Sequence, residues 1–353
     1  MHNNRREIKE QYTKWWNKEL DKPLLQLMTE NKDAENRAKG WNGFNFLIIK
    51  DDPERVIKEF ECSINNSKYL CSSYPEIWLN LGPGVMAAYI TGYLGFNGHS
   101  AWFEHPMEWE DIEKSLNFID EDNDWWKYTL KIAELTAKKA SGKYSVGTTD
   151  IGGIIDILAS LRTTQTLLLE LIDQPEKVLA AEEKILKLWF YVYDRVNEKI
   201  EKYCDGYDAW MGIWCPKKWY PLQADFSAMI SPKMYRQFIE PFIREQTKRL
   251  DYSIYHLDGP GEIPHLDILL DIDELDGIQW VPGAGNLDVT SEAWYDIYRR
   301  IQKKGKNIVL NDADPKKIQD LFKHISPKGV LVSTYCSNED ADMLMDWYTK
   351  TYD

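Results

Sequence analysis

Several features that would assign this sequence to a common class of protein are missing from it. Its 353 residues contain no low-complexity tract and neither a GxGxxG motif nor a phosphate-binding P-loop. No apolar run approaches the roughly 20 residues that a membrane-spanning helix needs. The formal charge of -14 argues against a nucleic-acid partner, because phosphate binding needs a basic surface. The overall composition is that of a soluble globular protein.

Cysteine is scarce and scattered along the chain. The five cysteines, at positions 62, 71, 204, 215 and 336, show no CxxC spacing, which suits a reducing compartment. The polar N-terminus, residues 1–7, does not resemble a signal peptide. We therefore expect a cytoplasmic protein.

What the sequence does contain is a regular alternation of short apolar segments with longer helical patterns. Strands are predicted at 24–28, within 40–51, and at 77–81, 144–147, 208–213, around Ser253, 277–281, 307–310 and 329–333. Predicted helices include 5–19, 125–140, 154–172, 174–203 and 231–250. This alternation favours parallel βαβ units, and about eight of them in this length favour a (β/α)8 TIM barrel. We expect one barrel domain at residues 23–353, preceded by a helical extension at 1–22 that either closes the barrel or serves a homodimer.

The segment 252–261 is the strongest candidate for a functional strand exit. It begins with β-formers and ends in Gly259-Pro260-Gly261, which cannot continue a ladder. His256 and Asp258 lie two positions apart, so both side chains point to one face of the strand. The pair could also do no more than close a turn by a hydrogen bond.

Further polar residues follow the other predicted strands. Asp150 is a candidate catalytic carboxylate, Gln279 and Asn311 are candidate substrate ligands, and Cys336 lies in a predicted loop. His256, Asp258 and Cys336 together could bind Zn²⁺, which accepts imidazole, carboxylate and thiolate ligands. Without metal, His256 and Asp258 could act as an acid–base pair. Glu76, next to Pro75, is expected to be an exposed turn residue.

Aromatic residues are abundant, with 15 Trp and 20 Tyr. Most of them are expected to fill the core. Those in the predicted loop at 214–221 and at nearby strand ends are candidates for lining a pocket, namely Trp210, Trp214, Trp219 and Trp280. Such faces suit a methylammonium group, a sugar or a flat cofactor.

Two sequence motifs resemble the uroporphyrinogen decarboxylase superfamily. The segment 146–153, VGTTDIGG, is similar to the family's glycine-containing fourth-strand exit. The segments ADFS at 224–227, ISPKMY at 230–235 and FIEP at 238–241 resemble its most specific signature, an aspartate followed by S-P-x-x-Y and F-x-x-P. The resemblance extends over nearly the whole chain and implies a TIM barrel with Asp225 among the substrate-binding residues.

The superfamily includes corrinoid-dependent methyltransferases, whose zinc ligands are a His-x-Cys pair and a distant cysteine. The matching positions here are His256, Asp258 and Cys336. The resemblance therefore implies methyl transfer involving a corrinoid on a partner protein, with zinc as a possible cofactor. Asp258 departs from the family pattern, because carboxylate is a harder and less thiophilic ligand than thiolate.

The decarboxylase itself is matched less well. Its arginine-rich segment corresponds to residues 29–43, which offer only Lys32, Arg37 and Lys39. Its Gly-His-Gly element is replaced by Tyr335-Cys336-Ser337, which argues against uroporphyrinogen as substrate.

Three functional hypotheses follow. The first is a methyltransferase acting between a corrinoid carrier and a small molecule. The second is a metal-free decarboxylase or lyase for a small carboxylated or polyhydroxylated substrate, using His256 and Asp258. The third is a non-catalytic ligand-binding relative, because fold does not fix function.

Overall fold

Strands and helices alternate along most of the chain in the computed structural model, which describes residues 5–34 and 42–352. The strands are β1 Leu24–Glu30, β2 Ser67–Cys71, β3 Glu76–Trp78, β4 Gly95–Phe96, β5 Ala101–Trp102, β6 Ser145–Thr148, β7 Asp208–Ala209, β8 Trp219–Leu222, β9 Tyr252–Asp258, β10 Gly277–Val281, β11 Asn307–Leu310 and β12 Val330–Cys336.

The helices lie between these strands and are generally longer. They are α1 Arg5–Trp16, α2 Asn45–Ile48, α3 Pro53–Asn65, α4 Met86–Thr91, α5 Trp109–Ser115, α6 Asp124–Ala140, α7 Ile154–Arg162, α8 Thr164–Asp173, α9 Pro175–Ile200, α10 Pro232–Phe238, α11 Glu240–Arg249, α12 Leu266–Leu270, α13 Tyr295–Lys303, α14 Ile318–His324 and α15 Asn338–Tyr352. Three short 3₁₀ helices cover Asp225–Met229, Pro260–His265 and Glu292–Trp294. Within the described ranges, none of the helices combines the length and apolar character needed to cross a membrane.

The strands form one large sheet and two smaller ones. The seven-stranded sheet has the order β2-β1-β12-β11-β10-β9-β8, and the three-stranded sheet has the order β3-β6-β7. Pairing is parallel in both sheets except between β1 and β2. Strands β4 and β5 form a separate antiparallel hairpin. The protein is therefore a mixed α/β fold built mainly on parallel strands, as the alternation predicted.

Among the described residues, these ladders do not close into a ring. The seven-stranded sheet ends at β8 and the three-stranded sheet at β7, with no ladder between them. The other edges, β2 and β3, are likewise not paired with each other. The closed barrel predicted from the sequence is thus not present as a continuous set of backbone pairs.

Helix α1 packs into the core through its apolar face. Tyr12, Trp15 and Trp16 are buried. The ring of Trp16 lies 5.2 Å from that of Trp219, and its Nε1 donates to the backbone oxygen of Trp214 at 3.0 Å. This packing attaches α1 to the start of β8, because aromatic side chains bury large apolar surfaces.

Two regions differ from the predicted strands. The described part of 40–51 contains helix α2 and no strand, while the antiparallel β2 at 67–71 was not predicted. The predicted loop at 214–221 contains most of β8. Pro221 is tolerated there because β8 is an edge strand, with one side of its backbone unpaired. Two of the basic residues matched to the decarboxylase's arginine-rich segment, Arg37 and Lys39, lie outside the described residues.

Two predicted helices are broken. The pattern at 154–172 divides at Thr163, whose φ of +68° ends α7 and whose Oγ1 accepts from the Thr166 amide at the start of α8. The pattern at 231–250 divides at Ile239, because Pro241 in the first turn of α11 has no amide to continue α10. Sequence periodicity carries on through both breaks and therefore does not reveal them.

We predict that Trp16→Ala lowers the free energy of unfolding by about 3–5 kcal/mol, because it removes a fully buried ring and leaves a cavity. Urea denaturation followed by circular dichroism measures the change. Lys14→Ala, on the exposed face of the same helix, is the matched control and should change stability little. Equal stability of the two variants would mean that residues 1–22 are a dispensable extension.

Candidate functional site

Three side chains that can ligate a metal converge where strands end. Asp225, His256 and Asp258 each offer one ligand atom, and these atoms all lie within 4.8 Å of one another. His256 and Asp258 are alternate residues near the end of β9, so they share one face of the sheet. Asp225 opens the 3₁₀ helix that follows β8, the strand next to β9. Parallel pairing thus brings consecutive strand exits into one group.

The His256 ring is held from its far side. Its Nδ1 lies 2.5 Å from Oε1 of Gln279, the residue directly opposite it in the β9–β10 ladder. Gln279 is buried, so its side chain has little freedom to turn away. When Nδ1 donates the proton to this amide oxygen, Nε2 keeps its lone pair for a metal or a substrate.

Trp210 closes another side of this group. Its ring meets that of His256 edge to face, with centroids 5.2 Å apart and planes at 85°. Trp210 follows β7, so the three-stranded sheet contributes to the same site as β9 and β10.

The carboxyl groups near His256 are crowded and partly shielded from water. Asp225 is exposed as a residue, yet partial desolvation of its carboxyl raises its pKa; the neighbouring His256 lowers this pKa and repulsion from Asp258 raises it. Burial raises the pKa of Glu262 to about 10, with repulsion from Asp225 adding to the effect. Glu262 is fully buried, and neither of its carboxyl oxygens has a hydrogen-bond partner in the described part of the chain. A carboxyl in this state is a neutral acid at physiological pH.

Asp150 lies at the exit of β6, as expected from the sequence. Burial and repulsion from Asp225 raise its pKa to about 7, although its Oδ1 accepts from the Gly152 amide at 2.9 Å. Asp156 behaves similarly, with its pKa raised to about 7 by burial and by Asp225. A group that titrates near neutrality can both donate and accept a proton.

Cys336 does not belong to this group. The ladders align His256 with Gln279, Gln279 with Val309 and Val309 with Leu331, so these four residues share one face. Strand β12 continues without interruption to Cys336, five residues beyond Leu331. Because successive residues alternate between faces, Cys336 points to the other face. The sequence had placed it in a loop, where its direction would have been unconstrained.

Cys336 borders a separate cavity of about 720 Å³ at the exits of β1 and β12. Burial raises the pKa of its thiol, and Asp340 adds to this effect. Both effects oppose the thiolate form that a metal ligand requires.

The other predicted ligands are dispersed. Trp214 and Trp219 pack near α1, and Trp219 is buried against Trp16. Trp280 is adjacent to Gln279 in β10 and therefore points to the opposite face, where its ring contacts that of Trp294 at a tilt of 58° with centroids 5.0 Å apart. Asn311 follows β11 and accepts from the Ser333 hydroxyl at 3.2 Å. Of the four tryptophans, Trp210 is the one whose ring contacts His256.

One prediction about an acidic residue was wrong. Glu76 is the first residue of β3 rather than part of an exposed turn, and it pairs with Ser145 of β6. Its Oε1 is buried and has no hydrogen-bond partner in the described ranges. Pro75 is compatible with this position because it precedes the strand and needs no ladder hydrogen bond. The apolar residues after Glu76 were a signal that the strand could begin there.

Comparison with known proteins gives a likeness in structure alone. No family model matches the sequence, and no curated protein matches it. A solved structure of a methyltransferase from Methanosarcina mazei is similar with a TM-score of 0.63 and 11% sequence identity, covering 98% of this chain and 99% of that one. The two chains therefore share a fold over nearly their full lengths.

We predict that Asp150→Asn weakens the pH dependence of stability. Because burial raises the pKa of Asp150 to about 7, the folded protein holds a proton that the unfolded chain releases above about pH 4. Stability from this group is therefore present at low pH and lost as pH rises from about 4 to 7. Thermal unfolding at pH 5 and pH 8 should show a smaller difference in Tm for Asp150→Asn than for the wild type.

Asp122→Asn is the control for this measurement, since Asp122 is exposed. Asp156 remains in both variants and should leave part of the pH dependence in place. An unchanged Tm difference in Asp150→Asn would show that Asp150 is ionised in the folded protein throughout this range.

Proposed function

We propose that this protein is a methyltransferase that moves a methyl group between a corrinoid on a partner protein and a small molecule. The observation that carries the proposal is the convergence of Asp225, His256 and Asp258 at strand exits. The fold that this chain shares with a methyltransferase supports the same reaction class. We also propose that the two parallel sheets are parts of one (β/α)8 barrel, in which strand exits form the active face.

The three converging side chains suit a divalent metal ion. Two carboxylates and one imidazole form a nitrogen and oxygen donor set that fits zinc or a harder ion such as Mn²⁺ or Fe²⁺. We propose Asp225 in this set in place of Cys336, which points to the other face of the sheet. A bound divalent ion would act as a Lewis acid on a heteroatom of the small molecule.

The residues around the donor set have distinct roles in this proposal. Gln279 holds the His256 ring through Nδ1, which leaves Nε2 available for the metal. Asp150, with a pKa raised to about 7 by burial, accepts or supplies the proton that the small molecule loses or gains. Trp210 excludes water from one side of His256.

The pKa of Asp150 also favours a second candidate, a metal-free lyase. In that reaction Asp150 and His256 would exchange protons with a substrate without help from a metal. A rate that depends on a group with a pKa near 7 and that persists in EDTA would favour the lyase. Dependence of the rate on added metal would favour the methyltransferase.

We predict that protein purified without an affinity tag binds about one divalent metal per chain. Asp225→Ala and His256→Ala should each lower the metal content at least tenfold, because loss of one of three protein ligands leaves an incomplete site. Inductively coupled plasma mass spectrometry measures the content. The same variants should lose demethylation of methylcobalamin in the presence of candidate acceptors.

Cys336→Ala is the matched control, and it should keep the metal. Loss of metal in Cys336→Ala together with retention of metal in Asp225→Ala would show that Cys336 is a ligand and Asp225 is not. Metal-free wild-type protein that transfers no methyl group to or from a corrinoid would contradict the methyltransferase proposal.

A further inference from the structure

A second group of acidic and aromatic side chains lies on the three-stranded sheet. The ladders align Glu76 with Ser145, Trp78 with Gly147, and Gly147 with Asp208. Because residues two apart share a face, Glu76, Trp78 and Asp208 belong to one side of this sheet, and Trp210 lies in the turn directly after β7. Trp210 contacts His256, so the end of β7 adjoins the site described above.

Asp208 has its hydrogen-bonding capacity filled by the protein. Its Oδ2 accepts from the Tyr74 hydroxyl at 2.7 Å and from the Ser145 hydroxyl at 2.8 Å. Its Oδ1 accepts from the Ala209 amide at 2.9 Å. These donors stabilise a negative charge on Asp208, which leaves it little capacity to bind a ligand.

Glu76 differs from Asp208 in this respect. Its Oε1 is shielded from solvent and has no hydrogen-bond partner in residues 5–34 and 42–352. Leaving a buried carboxyl oxygen unpaired is energetically unfavourable, because the oxygen loses its hydrogen bonds to water. An ionised Glu76 would also be repelled by Asp208.

The Glu76 carboxyl occupies space that two glycines leave open. A Cβ on Gly147 would lie 2.0 Å from Oε1 of Glu76, and one on Gly212 would lie 3.2 Å from Oε2. Gly147 therefore admits the carboxyl group, since any larger residue would displace it. The aligned Trp78 is the neighbour of Gly147 in the β3–β6 ladder.

No basic side chain offsets the charge of this group in the described parts of the chain. Burial is the main cause that raises the pKa of Glu76, and repulsion from Asp208 adds to it. The other titratable neighbours, Tyr12, Tyr69 and Tyr74, all have a raised pKa to which Glu76 contributes, so they are neutral at physiological pH. Among residues 5–34 and 42–352, the site is therefore acidic and aromatic, without a lysine or arginine partner.

We infer that the small molecule in the proposed methyl transfer carries an alkylated ammonium group, which Glu76 binds together with the indole rings of Trp78 and Trp210. A carboxylate supplies charge, and indole rings attract alkylammonium groups through cation–π contacts. The methyl transfer in this inference rests on the proposed function, whereas the binding of the cation does not depend on it. A site with a carboxylate favours organic cations over the sugars, carboxylates and flat cofactors that aromatic side chains alone would equally accept.

The test compares choline with 3,3-dimethyl-1-butanol, a neutral molecule of nearly the same shape, by isothermal titration calorimetry on the full chain. The wild type should bind choline at least tenfold more tightly than the neutral probe. Glu76→Gln, which keeps the shape of the side chain, should remove most of this preference. Choline binding should also release protons, because the bound cation favours the ionised form of Glu76.

The matched control is Glu54→Gln, which removes an exposed carboxylate 3.5 Å from Lys139 and should leave the preference unchanged. Should Glu76→Gln fail to fold, as judged by circular dichroism, Trp78→Leu provides the comparison. This variant should weaken the binding of choline and leave the binding of the neutral probe unchanged. Equal affinity of the wild type for both probes, or an unchanged preference in the folded Glu76→Gln variant, would overturn the inference.

The two proposals can fail separately. Choline binding is measured without corrinoid and after EDTA treatment, so a clear preference for choline stands even when no methyl transfer is found. Methyl transfer by a protein that does not prefer choline would refute the cationic substrate and leave the proposed function in place.

Discussion

The parallel pairing of β9 with β8 and β10 is the constraint on which the candidate site depends. It aligns His256 with Gln279, which fixes the imidazole, and it places the exit of β8 beside the exit of β9, which brings in Asp225. A shift of one residue in the β9–β10 register would turn His256 and Asp258 to the other side of the sheet. The positions of these side chains are therefore set by backbone hydrogen bonds far more than by local sequence.

That constraint explains which parts of the site could be predicted. The strand at 277–281 and the turn after Asp258 are marked by β-formers followed by glycine and proline, so His256, Asp258 and Gln279 could be placed from the sequence. Cys336 could not, because its direction depends on whether β12 ends at Ser333 or continues to 336. That difference of three residues changes the face, and propensities do not define strand ends this closely.

The misplaced elements have a related cause. Strand β8 was missed because Trp219-Tyr220-Pro221 contains a proline, which local rules exclude from a strand interior. Only the sheet order shows that β8 is an edge strand, where a proline is tolerated. Likewise, the burial of the Glu76 carboxyl depends on Gly147 and Gly212, which are 71 and 136 residues further along the chain. Long-range relations of this kind leave no trace in a local pattern.

The absence of a side chain at Gly147 has a consequence for the history of this protein. The carboxyl of Glu76 and any β-carbon at position 147 would compete for the same volume. Gly147 cannot be replaced while Glu76 is kept, so a substitution at position 147 must follow a change to a smaller residue at position 76. In homologous sequences, a residue other than glycine at position 147 should therefore occur together with a residue smaller than glutamate at position 76.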